Sequence, residues 1–421
     1  MPLNVARVIS SELEKVRTKL PRMYEREDVW FSQIEKKNVE AISNRDMRLP
    51  LDLRPGGYFG MYDADGGNLG RGDGPTLAHG VINTNDYRYA VEYNRKAEWG
   101  TDTSRKAIVS TTKKLTANGM GEFRRAIDAL YQTDGTGVLA TITVVGGGGP
   151  YTLTCGGDGF GVKLLRFGQK VQVFSSTLAT NRTGVGTPRE ITFYDLEAQQ
   201  VIINGGAIGG ITAGDKLVIE GATGTPSVSL YGLPYHASNA STGSWLGFDR
   251  ALYPEVRANR VDAGGAALAL SQPRVALNKI GNRLGRKAMK KMKACMHPCQ
   301  KQAYEEIGQL VSVIQKKATA EGLDMYFGDM MQMAGATVDD MYIWNKKRID
   351  FMDMSNWGRA ELKGIDFYEV DGRKLFEVRA SDGGLAAAIL FYLVVSFNAF
   401  VDNPAELAYI DNLAIPSGYG T

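Results

Sequence analysis

Two stretches of period-two alternation, separated by a glycine-rich segment, constrain the fold of this chain more than any other feature. Leucines alternate with Pro50 and Asp52 over residues 49–53, and three tyrosines and a valine alternate with other residues over 87–94. Such alternation indicates strands with one exposed face. We expect these two strands to flank a long connection as partners.

The connection, residues 56–75, reads GGYFGMYDADGGNLGRGDGP. It is too polar and too rich in turn residues to bury a core of its own, so we expect a projecting loop. Asp63, Asp65 and Asp73 suggest a calcium loop, but the spacing places Asn68 where an EF-hand needs glycine. A solvated loop is the better interpretation. The tripeptide Arg71-Gly72-Asp73 is only weak evidence for receptor binding, because so short a motif often occurs by chance.

The composition favours a folded protein rich in turns and strands. Glycine accounts for 50 of 421 residues, well above the usual ~7%. Hydrophobic residues make up 43% and charged residues 23%, which excludes a largely disordered chain. The net charge of +3 is too small to indicate a dedicated nucleic-acid-binding protein.

Helical spacing appears on both sides of the loop. Residues 1–47 read as an amphipathic, polar arm without the apolar core of a signal peptide, which favours an intracellular protein. Met120, Phe123, Ile127 and Leu130 recur at three- and four-residue spacing and predict a long helix within 105–133 that ends at Asp134-Gly135.

The rest of the chain reads first as β and then as mixed α and β. Short β-branched runs between glycine clusters over 141–235 predict a small barrel or sandwich. Later segments predict helices from Pro273 and over 300–317, a hairpin over 367–379 and a buried strand over 385–401. This last apolar run is shorter than the ~20 residues a membrane span needs.

No motif for catalysis or cofactor binding is present. The chain has three histidines and lacks the G-x-S-x-G, H-E-x-x-H and phosphate-loop patterns. Cys295, His297 and Cys299 lie close in sequence, but structural zinc needs a fourth ligand and usually a second pair. We expect a strand that ends at His297-Pro298 with buried thiols. The prediction is a non-enzyme without metal or cofactor.

Two groups of basic residues are candidate phosphate contacts. One runs from Arg283 to Lys293 and most simply forms a solvated face. The other lies on the predicted long helix, where lysine and arginine meet phosphates without reading sequence. Its members are Lys106, Lys113, Lys114, Arg124 and Arg125.

The order of elements and three phrases resemble the major capsid protein of tailed phages, the Hong Kong 97 fold. The phrases are LYGLPYHASNASTGSWLGFDRALYP at 230–254, ALNKIGNRLGRKAMKKMKACMHPCQKQAYEEI at 276–307 and VDNPAELAYIDNL at 401–413. The resemblance implies an α+β chain of several segments. They are an N-terminal arm (1–47), an extended loop or E-loop (48–104), a spine helix with the first part of the P-domain (105–140), an inserted β-rich domain (141–235), an A-domain (236–365) and the second part of the P-domain (366–421).

The resemblance implies a subunit that self-assembles through pentamers and hexamers into an icosahedral shell around double-stranded DNA, in the virion after assembly in the host cytoplasm. Implied partners are further copies of the chain, a portal protein, the packaged DNA and possible scaffolding or decoration proteins, with no membrane. Because only about 47 residues precede the loop, any scaffold is expected to be a separate protein. An encapsulin-like compartment and a β-rich binding or hydrolytic protein are the alternatives.

A shell subunit needs contact patches for its neighbours, and a loop laid over a neighbour adds buried area without a larger core. We expect the loop and the tyrosine row to supply them, although the tyrosines alternatively pack on their own domain. The predicted intersubunit contacts are Tyr58, Tyr62, Asp63, Asp65, Arg71, Asp73, Tyr87, Tyr89 and Tyr93.

Overall fold

A computed structural model of the chain describes residues 33–34, 36–37, 40–41, 46–61, 65, 70–94, 105–184, 186–221, 229–289, 291–312, 332–379 and 385–419. Most of the predicted N-terminal arm, Tyr62 and Asp63 lie outside these residues. None of the described helices is long and apolar enough to cross a membrane. The described chain forms two compact units, of which the smaller contains Thr84–Asp128 and Glu361–Phe397.

Strands predominate over helices. The helices are α1 (Arg105–Tyr131), α2 (Leu233–His236), α3 (Ser271–Leu284) and α4 (Pro298–Ser312). The strands are β1 (Glu40–Ala41), β2 (Asp46–Arg54), β3 (Thr76–Asn83), β4 (Asn85–Asn94), β5 (Val138–Gly146), β6 (Tyr151–Cys155), β7 (Lys170–Phe174), β8 (Arg189–Asp195), β9 (Gln200–Ile203), β10 (Lys216–Ile219), β11 (Ser244–Trp245), β12 (Phe248–Asp249), β13 (Asn259–Asp262), β14 (Lys293–Met296), β15 (Gln332–Met333), β16 (Ala336–Asp340), β17 (Ile349–Met352), β18 (Trp357–Phe367), β19 (Phe376–Arg379), β20 (Leu385–Val401) and β21 (Ala408–Asp411).

The partner of β2 is β3, which corrects the predicted pairing with residues 87–94. The two strands are antiparallel, with Met47 opposite Ile82 and Leu51 opposite Ala78. Gly80 and alanine weaken the strand pattern of β3, so the sequence pattern passes over it to the stronger alternation of β4. The loop between the paired strands begins after Arg54 and ends before Thr76, close to the predicted range of 56–75.

In the smaller unit, the long strand β20 is the central member of a sheet and pairs with β4, β18 and β19. Helix α1 has the predicted extent, and its Phe123 and Ile127 are buried. A Cβ at Gly119 would lie 3.2 Å from Val91 Cγ2. The glycine that weakens the middle of the helix therefore allows its close approach to β4.

The segment predicted as a hairpin over 367–379 forms only its turn as expected. Asp371 and Gly372 have positive φ values of 51° and 77°, as a type I′ turn requires. Val370 and Arg373 exchange both backbone hydrogen bonds across this turn. The strands on either side pair with β20 instead of with each other, because β20 offers a longer ladder.

Strands β5 to β10 close into a six-stranded antiparallel barrel in the order β10-β5-β6-β9-β8-β7. The sequence predicts either a barrel or a sandwich. The structure is a barrel, because β10 pairs with both β5 and β7 and so closes the sheet. Leu153, Val173 and Val201 belong to its fully buried interior. Arg182 Nη2 donates to the buried carboxylate of Asp215 over 3.1 Å at one end.

A six-stranded mixed sheet, in the order β13-β21-β17-β14-β16-β15, forms the core of the larger unit outside the barrel. Ala276, Leu277 and Ile280 of α3 are buried in this core, whereas Val275 and Leu284 of the same helix are exposed. The last strand, β21, pairs in parallel with β13. The end of the chain thus joins the sheet of the 236–365 segment.

Candidate assembly surfaces

The β2–β3 hairpin lies on a cluster of large apolar side chains in the larger unit. This cluster, here called the Trp245 cluster, comprises Met47, Ile82, Trp245, Leu246, Phe248, Val256, Ala360 and Phe400. The leucines of β2 are half-buried against it, and the intervening residues are exposed. Because side chains alternate between the two faces of a strand, one face of the hairpin is anchored on the cluster and the other is exposed.

Gly80 sets the closeness of this contact. A Cβ at Gly80 would lie 3.2 Å from Leu246 Cβ. Val81 N also donates to Leu246 O over 3.0 Å. The hairpin is therefore attached to the cluster through both side-chain packing and the backbone.

Arg54 provides a second attachment where the loop begins. Its Nε donates to Glu255 Oε1 over 3.0 Å, and its guanidinium lies 5.7 Å from the centre of the Tyr253 ring. Partial burial opposes ionisation of Glu255, but the hydrogen bond and charge of Arg54, a backbone hydrogen bond and the charge of Arg283 together outweigh it and hold the pKa of this carboxyl below its usual value. The ion pair is exposed to solvent and contributes modestly.

Beyond Arg54, the loop presents large apolar side chains to solvent. Phe59 and Met61 are 101% and 103% exposed, and Tyr58 is also exposed. Gly57 N donates to Asp73 O over 2.7 Å, which closes the base of the loop. Of the predicted polar contacts, Asp65, Arg71 and Asp73 are exposed. Fully exposed phenylalanine and methionine side chains at one loop indicate an interaction surface.

The sequence reasoning missed Phe59 and Met61 because it treated the segment as uniformly polar. The sequence did contain a signal for this surface: three large apolar residues lie among glycines in the segment GGYFGM. A glycine-bracketed apolar group has no neighbours along the chain with which to pack. It is therefore directed to another molecule or to solvent.

The tyrosine row of β4 is half-buried and packs on its own chain. The Tyr87 ring centre lies 5.9 Å from that of Phe397, and the Tyr89 ring centre lies 6.1 Å from that of Phe123. Tyr93 lies on the same half-buried face of β4. Pairing of β4 with β20 gives these side chains a local core, so the alternative interpretation holds.

The helical basic residues divide into different environments. Arg124 is exposed, whereas Arg125 is buried, with Nη1 donating to Glu122 Oε1 over 2.6 Å. Burial and this ion pair remove Arg125 from the proposed phosphate contacts. The side chains of Lys106, Lys113 and Lys114 lie outside the described residues.

The second basic group, 283–293, is partly structural. Arg283 Nη1 donates to Arg257 O over 2.6 Å, and Lys293 lies 3.5 Å from Asp339. Arg286 and Lys287 are exposed. The group is thus a solvated face with one arginine that fixes neighbouring backbone.

The three cysteines are free and buried. Among the residues that the structure describes, no three histidine, cysteine or acidic side chains are grouped to hold a metal ion. Cys295 and Cys299 are free and buried, as expected from sequence. Burial raises the pKa of Cys155 to about 12 and that of Cys299 to about 11, which keeps these thiols protonated and unreactive.

Comparison with solved structures shows a likeness over almost the whole chain. The cyanophage A-1(L) capsid asymmetric unit matches with a TM-score of 0.54 and 10% identity, over 95% of this chain and 96% of that chain. The capsid of the empty GTA particle matches with a TM-score of 0.46, 12% identity and coverage of 98% and 99%. The holo-SrpI encapsulin complex from Synechococcus elongatus PCC 7942 matches with 0.47, 9% identity and coverage of 98% and 97%.

No protein-family model and no curated protein matches the sequence. The first structural likeness shows that this α+β chain has the fold of a cyanophage capsid chain.

Proposed function

We propose that this protein is the major capsid protein of a tailed phage, which self-assembles through pentamers and hexamers into an icosahedral shell that packages double-stranded DNA. The observation that carries the proposal is the shared fold with the cyanophage A-1(L) capsid over 95% of the chain. A subunit of a closed shell needs several contact patches on one chain. The exposed loop on the β2–β3 hairpin supplies one such patch.

The finer architecture follows the Hong Kong 97 fold. In this assignment the β2–β3 hairpin is the E-loop and α1 the spine helix. The sheet built around β14 and β17 belongs to the A-domain, and the sheet around β20 belongs to the P-domain. The barrel of β5 to β10 is a domain inserted between the spine helix and the A-domain.

The loop stabilises the shell by burying apolar side chains on a neighbouring copy. Phe59 and Met61 are fully exposed in the subunit, and burying a side chain of this size contributes about 1.5–3 kcal/mol. Every subunit makes this contact once, so its effect is repeated throughout the shell. Anchoring of the hairpin to the Trp245 cluster reduces the ordering cost of binding.

Contact with DNA is electrostatic and independent of sequence, and the exposed Arg124 is the described helical residue proposed for it. A portal protein, a separate scaffold and decoration proteins are the remaining proposed partners. The protein performs no catalysis, assembles in the host cytoplasm and ends in the virion.

Replacing the apolar loop residues with charged ones tests the proposal. The double variant Phe59→Asp with Met61→Asp should remain a folded subunit, because neither side chain is buried, but should not form shells. Phe167→Asp is the matched control, since it changes another exposed aromatic residue, on the barrel. Negative-stain electron microscopy and light scattering measure particle formation. Normal shells from the double variant would contradict the role given to the loop.

A further inference from the structure

A cleft of about 390 Å³ beside His297 has the chemistry of a binding site. Its walls come from five parts of the larger unit: the residues after β6, the turn between β8 and β9, His297, residues 342–346 and the end of the described chain. Shell assembly through the β2–β3 loop makes no use of it. Its lining combines aromatic rings with lysines and a carboxylate.

The walls of the cleft are fixed by hydrogen bonds to backbone groups. Asn345 Nδ2 donates to Asp158 O over 2.9 Å, and Lys346 N donates to Gly159 O over 3.2 Å. On the opposite side, Gln199 Oε1 accepts from Val162 N over 3.0 Å. A cleft held in this way is formed before a ligand arrives, which reduces the entropic cost of binding.

The hydrogen bond that His297 accepts determines which of its ring nitrogens carries the proton. Its Nδ1 accepts from Cys299 N over 3.1 Å, so the ring proton of the neutral form is on Nε2. Burial, reinforced by the charges of Lys346 and Lys163, lowers the pKa of His297 to about 4. The ring is therefore neutral at physiological pH, and Nε2–H remains its donor.

Two tyrosine rings stand beside His297. The Tyr342 and Tyr419 ring centres lie 6.0 and 6.3 Å from that of His297, and both rings are almost perpendicular to it. Tyr342 is 60% exposed, so one face of its ring is accessible. Neither tyrosine is stacked face to face with His297, so the imidazole forms no parallel-walled slot with either tyrosine ring.

The charged groups of the cleft discriminate among anions. Lys163 and Lys346 attract a negative group, and Lys346 Nζ is positioned by donation to Tyr419 O over 2.7 Å. Glu197 lies in the same lining. Its carboxylate accepts from hydroxyls but repels a phosphate dianion more strongly than a carboxylate monoanion. The cleft thus has an accessible ring face, both donors and acceptors, and a net charge of one positive unit. Together these features suit an acidic sugar.

We propose that this cleft binds a pyranose sugar carrying a carboxylate, as in a uronic acid. The apolar face of the sugar lies on Tyr342, its carboxylate lies near Lys163 and Lys346, and one of its hydroxyls accepts from His297 Nε2–H. This binding activity is separate from shell formation and does not depend on it.

Isothermal titration calorimetry of the full chain with glucuronate, glucose and uridine monophosphate tests the proposal. Glucuronate should bind saturably and about tenfold more tightly than glucose, because glucose lacks the carboxylate that the two lysines attract. Tyr342→Ala should weaken glucuronate binding about tenfold, whereas Tyr342→Phe, which retains the ring face, should bind as the unaltered chain does.

Lys163→Met provides a second variant, which should reduce the preference for glucuronate over glucose. A trimer of galacturonate tests whether the natural source is a polysaccharide: tighter binding than the monomer indicates a polymer, and equal binding indicates a free sugar. Absence of saturable glucuronate binding at millimolar concentrations overturns the proposal. So does equal binding by Tyr342→Ala, or tighter binding of the nucleotide.

Discussion

Gly80 sets how closely the β2–β3 hairpin lies on the Trp245 cluster, so Gly80→Val should detach it. The added Cβ would lie 3.2 Å from Leu246 Cβ and 3.5 Å from Phe248 Cε2. Leu246 has little freedom to move, because its N donates to Tyr235 Oη over 2.9 Å and its O accepts from Val81 N over 3.0 Å. Its φ of 47° restricts it further.

The expected magnitude follows from overpacking. Extra methyl groups in a well-packed site typically cost about 1–3 kcal/mol, which raises the open population of the hairpin roughly 5- to 150-fold. Hydrogen exchange measured by mass spectrometry on peptides covering β2 and β3 should show this increase. Shell yield should fall with it, because a detached hairpin no longer presents Phe59 in a fixed position.

Leu77→Val is the control for this experiment, since Leu77 lies on the exposed face of β3 and its replacement should leave exchange unchanged. If Gly80→Val retains the protection of the unaltered chain, the close contact with Leu246 does not position the hairpin and the reasoning is wrong.

Three further predictions concern stability. Arg125→Met should lower the free energy of unfolding by about 1–3 kcal/mol, since it leaves the part-buried Glu122 without this ion pair. Arg124→Met, at an exposed position, should lower it less, and urea unfolding compares the two variants. Burial lowers the pKa of His236 to about 3 from its ordinary 6.5. Between these two pH values the unfolded state binds a proton at this histidine and the folded state does not. Stability should therefore be constant above pH 6.5 and fall below it by up to about 1.4 kcal/mol per pH unit, with a shallower slope in His236→Gln. The three cysteines should be inert to a thiol reagent in the native protein and react after unfolding, and rapid native labelling would contradict their burial.

Local elements were largely predictable from sequence because each depends on a local pattern. Helix α1 and the buried strand β20 follow from periodicity and from an uninterrupted apolar run. The barrel strands follow from β-branched runs between glycines. The type I′ turn at Asp371-Gly372 follows from its residues alone.

Pairing and burial were less predictable because they depend on residues distant in sequence. The alternation of β4 is the same whether its tyrosines face a neighbour or their own core, and only the pairing with β20 decides between them. Similarly, Arg124 and Arg125 are adjacent and identical in type, yet their helical positions direct one to solvent and the other to Glu122. The sequence predicts His297 only as the end of a strand, after zinc binding is set aside, whereas the structure also places it beside two tyrosines from later parts of the chain.

Electron microscopy of the purified chain, expressed alone and with candidate phage neighbours, tests the central claim most directly. The account predicts closed icosahedral particles tens of nanometres across, or rings of five and six subunits, in which the loop after Arg54 lies on a neighbouring copy. A persistent monomer under every condition would contradict the claim that this chain builds a shell.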